Sequence, residues 1–282
     1  MQTLAKRGLL VATTGGSIAL FVFVAHPGRL VASLGALPPA AALSAVGATM
    51  GGVMLVAVRW RTILAARSID APAGRLFAAL TIGSAVNNVL PARAGDAVRV
   101  ESAHRLTGAS RLAIGASLVY ERVLDGLVLA ILVVVGALCT HARGPFLWIG
   151  IALGAAIVLV VPLVPVFRTR RMLGALGVSA AIWFADVVMY GALAHGFHLD
   201  VSFGALLLLV GAGNLALAIP GTAAGLGSFE LVTLAGAHGI GISGSSLAAF
   251  VLATHAVIVL PTTLTGIVLA RAALPGVLTA RT

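Results

Sequence analysis

Apolar residues in this chain continue in long unbroken stretches, without the strict alternation of a half-buried strand, and polar residues gather where the stretches end. Residues 8–25, 40–58, 112–138, 146–167, 172–194 and 247–270 each approach or pass the roughly 20 apolar positions with which a helix crosses a bilayer. Two further stretches are interrupted. Residues 76–90 run into Asn87, Asn88 and Pro91, and residues 201–219 run into Pro220-Gly221 before a second apolar stretch resumes to about Ala237. A proline removes a helical donor and clashes with the preceding turn, so backbone at these breaks needs protein or water partners. The pattern predicts an all-α polytopic membrane protein with six transmembrane helices and two re-entrant helical hairpins.

The connections carry the topology signal. A short loop with His26, Pro27, Arg29 and Pro38-Pro39 is expected before the second crossing, and a basic loop with Arg59, Trp60, Arg61, Arg67, Asp70 and Arg75 after it. Basic residues favour the cytoplasmic side, so Lys6, Arg7 and this loop are assigned there. Arg93, Arg99, Arg105 and Arg111 follow the Pro91 break and would fall outside if residues 76–90 crossed fully; a hairpin that enters and returns keeps them inside. Arg168, Arg170 and Arg171, then Arg271 and Arg281, give the same side only if residues 201–243 form a hairpin from the opposite face. Both termini are thereby predicted to be cytoplasmic.

This arrangement exposes a repeat within a single membrane domain spanning residues 1–282. Helix, helix, hairpin and helix over roughly 8–138 recur over roughly 146–270, and three full crossings per unit turn the second copy upside down. Asn88, Leu90-Pro91 and Gly95-Asp96 in one hairpin parallel Asn214, Ile219-Pro220, Gly225 and Glu230 in the other. Inverted repeats whose broken helices meet near the midplane are a common transporter architecture.

Composition narrows the class. Hydrophobic residues make up 60% of the 282 positions, charged residues 9%, and mean hydropathy is +1.11, which leaves too little polar surface for a soluble domain of this size. A net charge of +10 would point to nucleic acid in a soluble protein. Here the bases sit between helices as topology signals, and no nucleic-acid partner is expected. Residues 8–25 follow Lys6 and Arg7 but are long for a signal peptide, and cleavage after Ala25 would place Phe23 where a small residue is required. The lone Cys139 makes no internal disulfide. No H-E-x-x-H, C-x-x-C, Walker A or dinucleotide fingerprint occurs, so neither metal nor cofactor is expected.

Candidate chemistry concentrates in residues 87–125, which hold four of the eight acidic residues and five of the eighteen Lys and Arg. Arg93, Asp96 and Arg99 are spaced three apart, which on a helix makes one face with an acid between two guanidinium groups. That face reads either as a phosphate fork or as a solvated salt-bridge surface. Glu121, Arg122 and Asp125 lie within an apolar helix, with Arg122 able to reach Asp125 at i+3. Charges at such depth pair, face inward and mark a pathway, or form a structural ion pair such as Arg93 or Arg99 with Glu121. Asp186, Glu230 and His255 are single titratable groups in the second half, readable as proton-coupling groups or as helix contacts, with the contact reading favoured for His255.

Taken together, Asn88-x-Leu90-Pro91-x-Arg93-x-Gly95-Asp96-x-x-Arg99, Glu121-Arg122-x-x-Asp125 and Ile219-Pro220-Gly221-x-x-x-Gly225-Leu226-Gly227-x-x-Glu230 resemble the lysylphosphatidylglycerol synthase transmembrane region, also called the flippase-like family. The three signatures occur in family order over nearly the whole chain. The resemblance implies a region that moves an aminoacylated phospholipid between leaflets, while a separate soluble domain, which this chain is not expected to contain, makes that lipid. Asp96 stands where glutamate is commoner, and Ala223-Ala224 where a proline often precedes the glycine, so the substrate stays open; other relatives are linked to hopanoids and lipid-linked sugars.

The expectation is an inner-membrane lipid translocase, not an enzyme, for a lipid with a charged, phosphate-bearing head group. Asn88, Arg93, Asp96, Arg99, Glu121, Arg122, Asp125, Asp186 and Glu230 are its candidate substrate-binding residues. Arg93, Arg99 and Arg122 would contact phosphate, and the carboxylates would orient them or hold a cationic group. Arg93, Glu121, Arg122 and Glu230 are expected to share one polar cavity. The alternatives are a non-transporting scaffold or accessory subunit of a lipid-modifying or glycosyltransferase system, and an embedded enzyme using Glu121 and Asp125 as an acid/base pair. Membrane lipids are the expected partners; homo-oligomerisation and a lipid-synthesising enzyme partner remain open.

Overall fold

The computed structural model describes residues 27–90, 93–141, 145–160, 169–218, 223–244 and 246–279. Among these the chain forms ten α-helices: α1 Pro27–Gly35, α2 Pro39–Ala65, α3 Ala73–Val89, α4 Ala94–Thr107, α5 Arg111–Cys139, α6 Pro145–Val160, α7 Arg170–Gly196, α8 Phe203–Ala218, α9 Ser228–Gly239 and α10 Leu247–Thr279. A single 3-10 turn, Ala223–Gly225, lies between α8 and α9. No strand occurs among the described residues.

Four helices are long and apolar enough to cross a membrane: α2, α5, α7 and the Leu247–Ala272 portion of α10. Of the other two expected crossings, residues 8–25 lie outside the described residues, and 146–167 is described as α6 only as far as Val160. Leu43, Leu112, Trp148, Phe184, Leu264 and Val268 are exposed. On a soluble protein this much outward apolar surface would drive association; in lipid it is the solvated face. The chain is a multi-pass membrane protein.

Two sequence expectations are corrected. Residues 27–35 form α1, where a loop was expected. The basic loop after the second crossing begins later than expected, because α2 continues through Arg59, Trp60 and Arg61 to Ala65. At 1.5 Å per residue, its 27 residues span about 40 Å, more than the roughly 30 Å hydrocarbon core, so its last turns can carry charge. Arg59 uses that extension to turn inward.

The described residues divide into two compact units, each containing one helical hairpin. The first-hairpin unit comprises residues within 50–128, 153–184 and 259–279; the second-hairpin unit comprises residues within 27–49, 129–152 and 185–258.

In the first-hairpin unit, α3 and α4 pack closely against each other. Leu90 leaves α3 extended (φ −105°, ψ 140°), the conformation that a following proline favours. The chain re-enters the helix at Arg93, whose left-handed backbone (φ 54°, ψ 39°) costs a residue with a side chain about 1 kcal/mol or more. The two helices then meet backbone to backbone, since a Cβ on Gly95 would lie 1.8 Å from the Gly83 carbonyl oxygen. Trp60, Leu64, Leu76, Ala79, Ala103 and Ile114 form the buried core around this contact. The Trp60 indole N–H donates to Ser117 Oγ at 2.9 Å, so the buried ring has no orphaned donor.

In the second-hairpin unit, α8 and α9 pack around the 3-10 turn. Ala224 and Gly227 both have positive φ, 52° and 82°, and the reversal between them starts α9. The Gly227 N–H donates to Glu230 Oε2 at 2.7 Å, which caps the new helix from its own first turn. In the same unit Tyr190 and Phe250 meet edge to face with ring centroids 6.0 Å apart, and both rings and Phe229 are fully buried.

Candidate functional site

The break in the first hairpin is closed by side chains that precede it. Asn87 Oδ1 accepts the Gly95 N–H at 2.6 Å, and its Nδ2 donates to Asp96 Oδ1 at 3.2 Å. Asn87 thus satisfies an orphan donor in the first turn of α4 from the last turn of α3. It was not among the sequence candidates; its neighbour Asn88 was. Asn88 instead donates to Thr263 Oγ1 on α10 at 2.8 Å, a contact between helices.

Arg93, Asp96 and Arg99 do not form the single helical face that their spacing predicts. Arg93 lies before α4 in left-handed backbone and is exposed, so the i, i+3 relation fails there. Arg99 points into the core, where its Nη2 donates to Glu121 Oε2 at 2.8 Å and its guanidinium lies 4.4 Å over the Trp60 ring. Asp96 faces Arg122 of α5, with Oδ2 and Nη2 3.8 Å apart and the Arg122 side chain 54% exposed. That distance is an ion pair without a hydrogen bond.

The expected Arg122–Asp125 pair is also corrected. Asp125 is held by Arg59, which donates from Nη1 to Oδ1 and from Nη2 to Oδ2, the latter at 3.1 Å. Nη1 also donates to Ser179 Oγ at 3.0 Å, and the Trp183 indole N–H donates to Asp125 Oδ1 at 3.3 Å. On α5 the three charges therefore diverge. Glu121 and Asp125 turn inward to Arg99 and Arg59, while Arg122, between them in sequence, stays exposed.

Two arginines and two carboxylates make a neutral quartet, three of whose members, Arg59, Arg99 and Glu121, are buried. A lone charge in this position would be costly, and mutual pairing with extra donors offsets the desolvation. The pairing is incomplete: Arg59 Nε, Arg99 Nε and Glu121 Oε1 are buried without a hydrogen-bond partner among the described residues. Two donors and one acceptor with no partner suit a water or a hydroxyl that both gives and takes hydrogen bonds.

Arg59 is the buried partner of Asp125 that the sequence reading missed. Positive-inside counting treats an Arg-Trp-Arg cluster at the end of an apolar run as a loop marker. The signal that identifies it is Asp125, an intramembrane acid that needs a cation from another helix.

In the second-hairpin unit, Glu230 and His255 are both buried and form a contact of 2.5 Å between Oε1 and Nδ1. His255 Nε2 lies 2.8 Å from the Ala224 carbonyl oxygen, and Phe229 stacks on the imidazole with centroids 4.5 Å apart. Asp186 is half-buried on α7, one turn before Tyr190. Arg93, Glu121 and Arg122 thus belong to one compact unit, and Asp186 and Glu230 to the other. Among the described residues no group of three or more His, Cys, Asp or Glu side chains is placed to hold a metal ion.

A family model described as the lysylphosphatidylglycerol synthase TM region matches the chain over residues 8–173 and 166–266. No curated protein matches it.

Proposed function

The chain belongs to the lysylphosphatidylglycerol synthase TM region family, and on that premise we propose that it moves, without chemically modifying, a lipid with a charged, phosphate-bearing head group across the inner membrane. The observation that carries this reading is the first hairpin. An apolar multi-pass chain reverses between α3 and α4, and near that reversal stand two exposed guanidinium groups, Arg93 and Arg122, the second paired with the half-buried Asp96. A guanidinium presents a planar fork to phosphate oxygens, and the weak Asp96 pairing positions Arg122 without occupying its donors.

Arg99, Glu121, Arg59 and Asp125 take a different role in this proposal. Their forks already face carboxylates, so they hold α2, α4 and α5 in place, and the head group meets Arg93 and Arg122 first. Both hairpins are re-entrant from opposite faces in the inverted-repeat reading, with both termini cytoplasmic. Ala103 is buried and makes a poor reporter of that topology, whereas Arg105 and His238 are exposed at the far ends of α4 and α9. Single cysteines there, on a Cys139→Ala background, should label from opposite sides of the membrane; labelling from one side would reject the inverted repeat.

The test of function is leaflet transfer by the purified protein in liposomes. Labelled anionic phospholipid should move faster than with empty liposomes, and faster than an uncharged lipid of the same chain length. A protein that is folded yet inert for every lipid would abandon transport in favour of the accessory-subunit reading.

A further inference from the structure

The hydrogen-bond inventory at Glu230 and His255 requires a proton that neither side chain would carry in its ordinary form near neutral pH. The Ala224 carbonyl oxygen can only accept, so His255 Nε2, 2.8 Å away, carries hydrogen and donates. A neutral imidazole protonated at Nε2 presents a lone pair at Nδ1. An ionised carboxylate presents only lone pairs. At 2.5 Å, Nδ1 and Glu230 Oε1 cannot face each other as two lone pairs in a buried site, so a hydrogen lies between them. Glu230 Oε2 meanwhile accepts the Gly227 N–H at 2.7 Å. The proton sits on Nδ1, giving imidazolium and carboxylate, or on Oε1, giving imidazole and carboxylic acid. Either way the pair is neutral and contains one proton more than the separate ordinary forms.

We propose that Glu230 and His255 form a proton-binding site at the break of the second hairpin, and that the bound proton ties the 224–230 turn to α10. The pair spans the break. His255 belongs to α10, Ala224 to the 3-10 turn and Glu230 to the first turn of α9. Losing the proton leaves one net negative charge in the buried site and turns an attraction into a repulsion. The turn is then held to α10 less tightly, because the Nδ1–Oε1 contact is lost and only the Phe229 stacking and the Nε2–Ala224 hydrogen bond remain.

Among the described residues no other charged side chain forms a hydrogen bond or ion pair with Glu230 or His255. The described part of α8 has no titratable side chain, and α10 before residue 259 has only His255. From α7, the Tyr190 hydroxyl reaches Gly213, which also touches Phe229, and Asp186 lies one turn before it. The other titratable groups of this unit whose side chains are described, Cys139, His141, His195, His198, Asp200 and His238, lie at helix ends or in connections.

The inference does not depend on transport, and its test reads the proton directly in the full-length protein reconstituted in nanodiscs. Glu230→Gln is the informative variant: the amide oxygen can keep the Gly227 N–H, while the amide N–H donates to Nδ1 with no dissociable proton. At about pH 8, above the ordinary histidine range near 6.5, the wild type should show one of two signals that the Gln variant lacks. These are a histidine with both ring nitrogens protonated, by nitrogen NMR, or the infrared carbonyl stretch of a protonated carboxyl. A spin label at Leu226→Cys on a Cys139→Ala background, a site that is 40% exposed in the turn, reports the tie. Its mobility should rise as alkaline pH removes the proton, and stay flat in the Gln variant. Absence of both proton signals from the wild type overturns the site, and so does label mobility with the same pH profile in both proteins.

Discussion

The two hairpins solve the same problem with different chemistry. Each must restart a helix after a break and tie that restart to a long helix. In the first, Asn87 accepts the Gly95 N–H and Arg99 reaches Glu121 on α5; in the second, Glu230 accepts the Gly227 N–H and reaches His255 on α10. The first tie uses a guanidinium, which stays charged at any pH a protein survives, backed by the Arg59–Asp125 pair. The second uses an imidazole and a carboxyl which, in the proposal above, share one dissociable proton. The first is therefore a permanent lock, and under that proposal the second is a conditional one.

The largest effect should come from removing one partner of the permanent lock. Arg59→Ala leaves Asp125 with the Trp183 indole N–H and no cation, and should destabilise the protein by about 3 to 5 kcal/mol in thermal melts. Arg59→Ala combined with Asp125→Ala should recover much of that loss, because no uncompensated charge remains. A single variant as stable as the wild type would mean that the first hairpin is not locked by charge.

Next is the backbone contact. Gly95→Ala forces a methyl group into the Gly83 carbonyl and should cost about 1 to 3 kcal/mol. Gly74→Ala on the same hairpin is the control, since a Cβ there meets nothing within 4 Å. Equal melting temperatures for the two variants would show that α3 and α4 can separate freely.

Arg122→Lys isolates the exposed side of the comparison. The side chain is 54% exposed and its ion pair is long, so stability should change by less than about 1 kcal/mol. Lysine keeps the charge but loses the fork, so transfer of an anionic phospholipid should fall while the melt is unchanged. A melt that drops with transfer intact would assign Arg122 to the lock.

How much of this was legible follows from what each signal measures. The apolar runs located four membrane-crossing helices and, with the prolines, the two helical hairpins, because lipid permits few alternatives to a continuous helix. Arg99–Glu121 could be anticipated, because an intramembrane acid needs a cation. The partner of Asp125 was misassigned to Arg122 because i+3 spacing is visible in sequence, whereas the direction a side chain faces on a helix packed on several sides is not. Arg59 was lost to the loop because a cluster of basic residues looks the same on a surface and on an inward-turned helix end. Glu230 and His255 stood out singly, but their partnership over 25 positions depends on a reversal at Ala224 and Gly227 that no local pattern encodes.

The smallest effect tests the comparison outside the apolar core, where α4 meets α5. Glu101 accepts from Arg111 Nε at 2.8 Å and from Arg105 Nε at 2.7 Å, and these hydrogen bonds, Arg111's first, hold its carboxyl down at about 2. The folded form therefore keeps Glu101 ionised at pH values where the unfolded chain, near 4.3, would protonate it. Its contribution is fully present above the unfolded value and is lost as pH falls through about 2. Because the group is exposed, water and salt screen most of the interaction, and the change in melting temperature should be slight. Comparing wild type with Glu101→Gln, the difference should be constant above about pH 5 and shrink below about pH 4. The same difference at about pH 3 as at about pH 6 would show that Arg111 and Arg105 do not hold Glu101 in the folded protein.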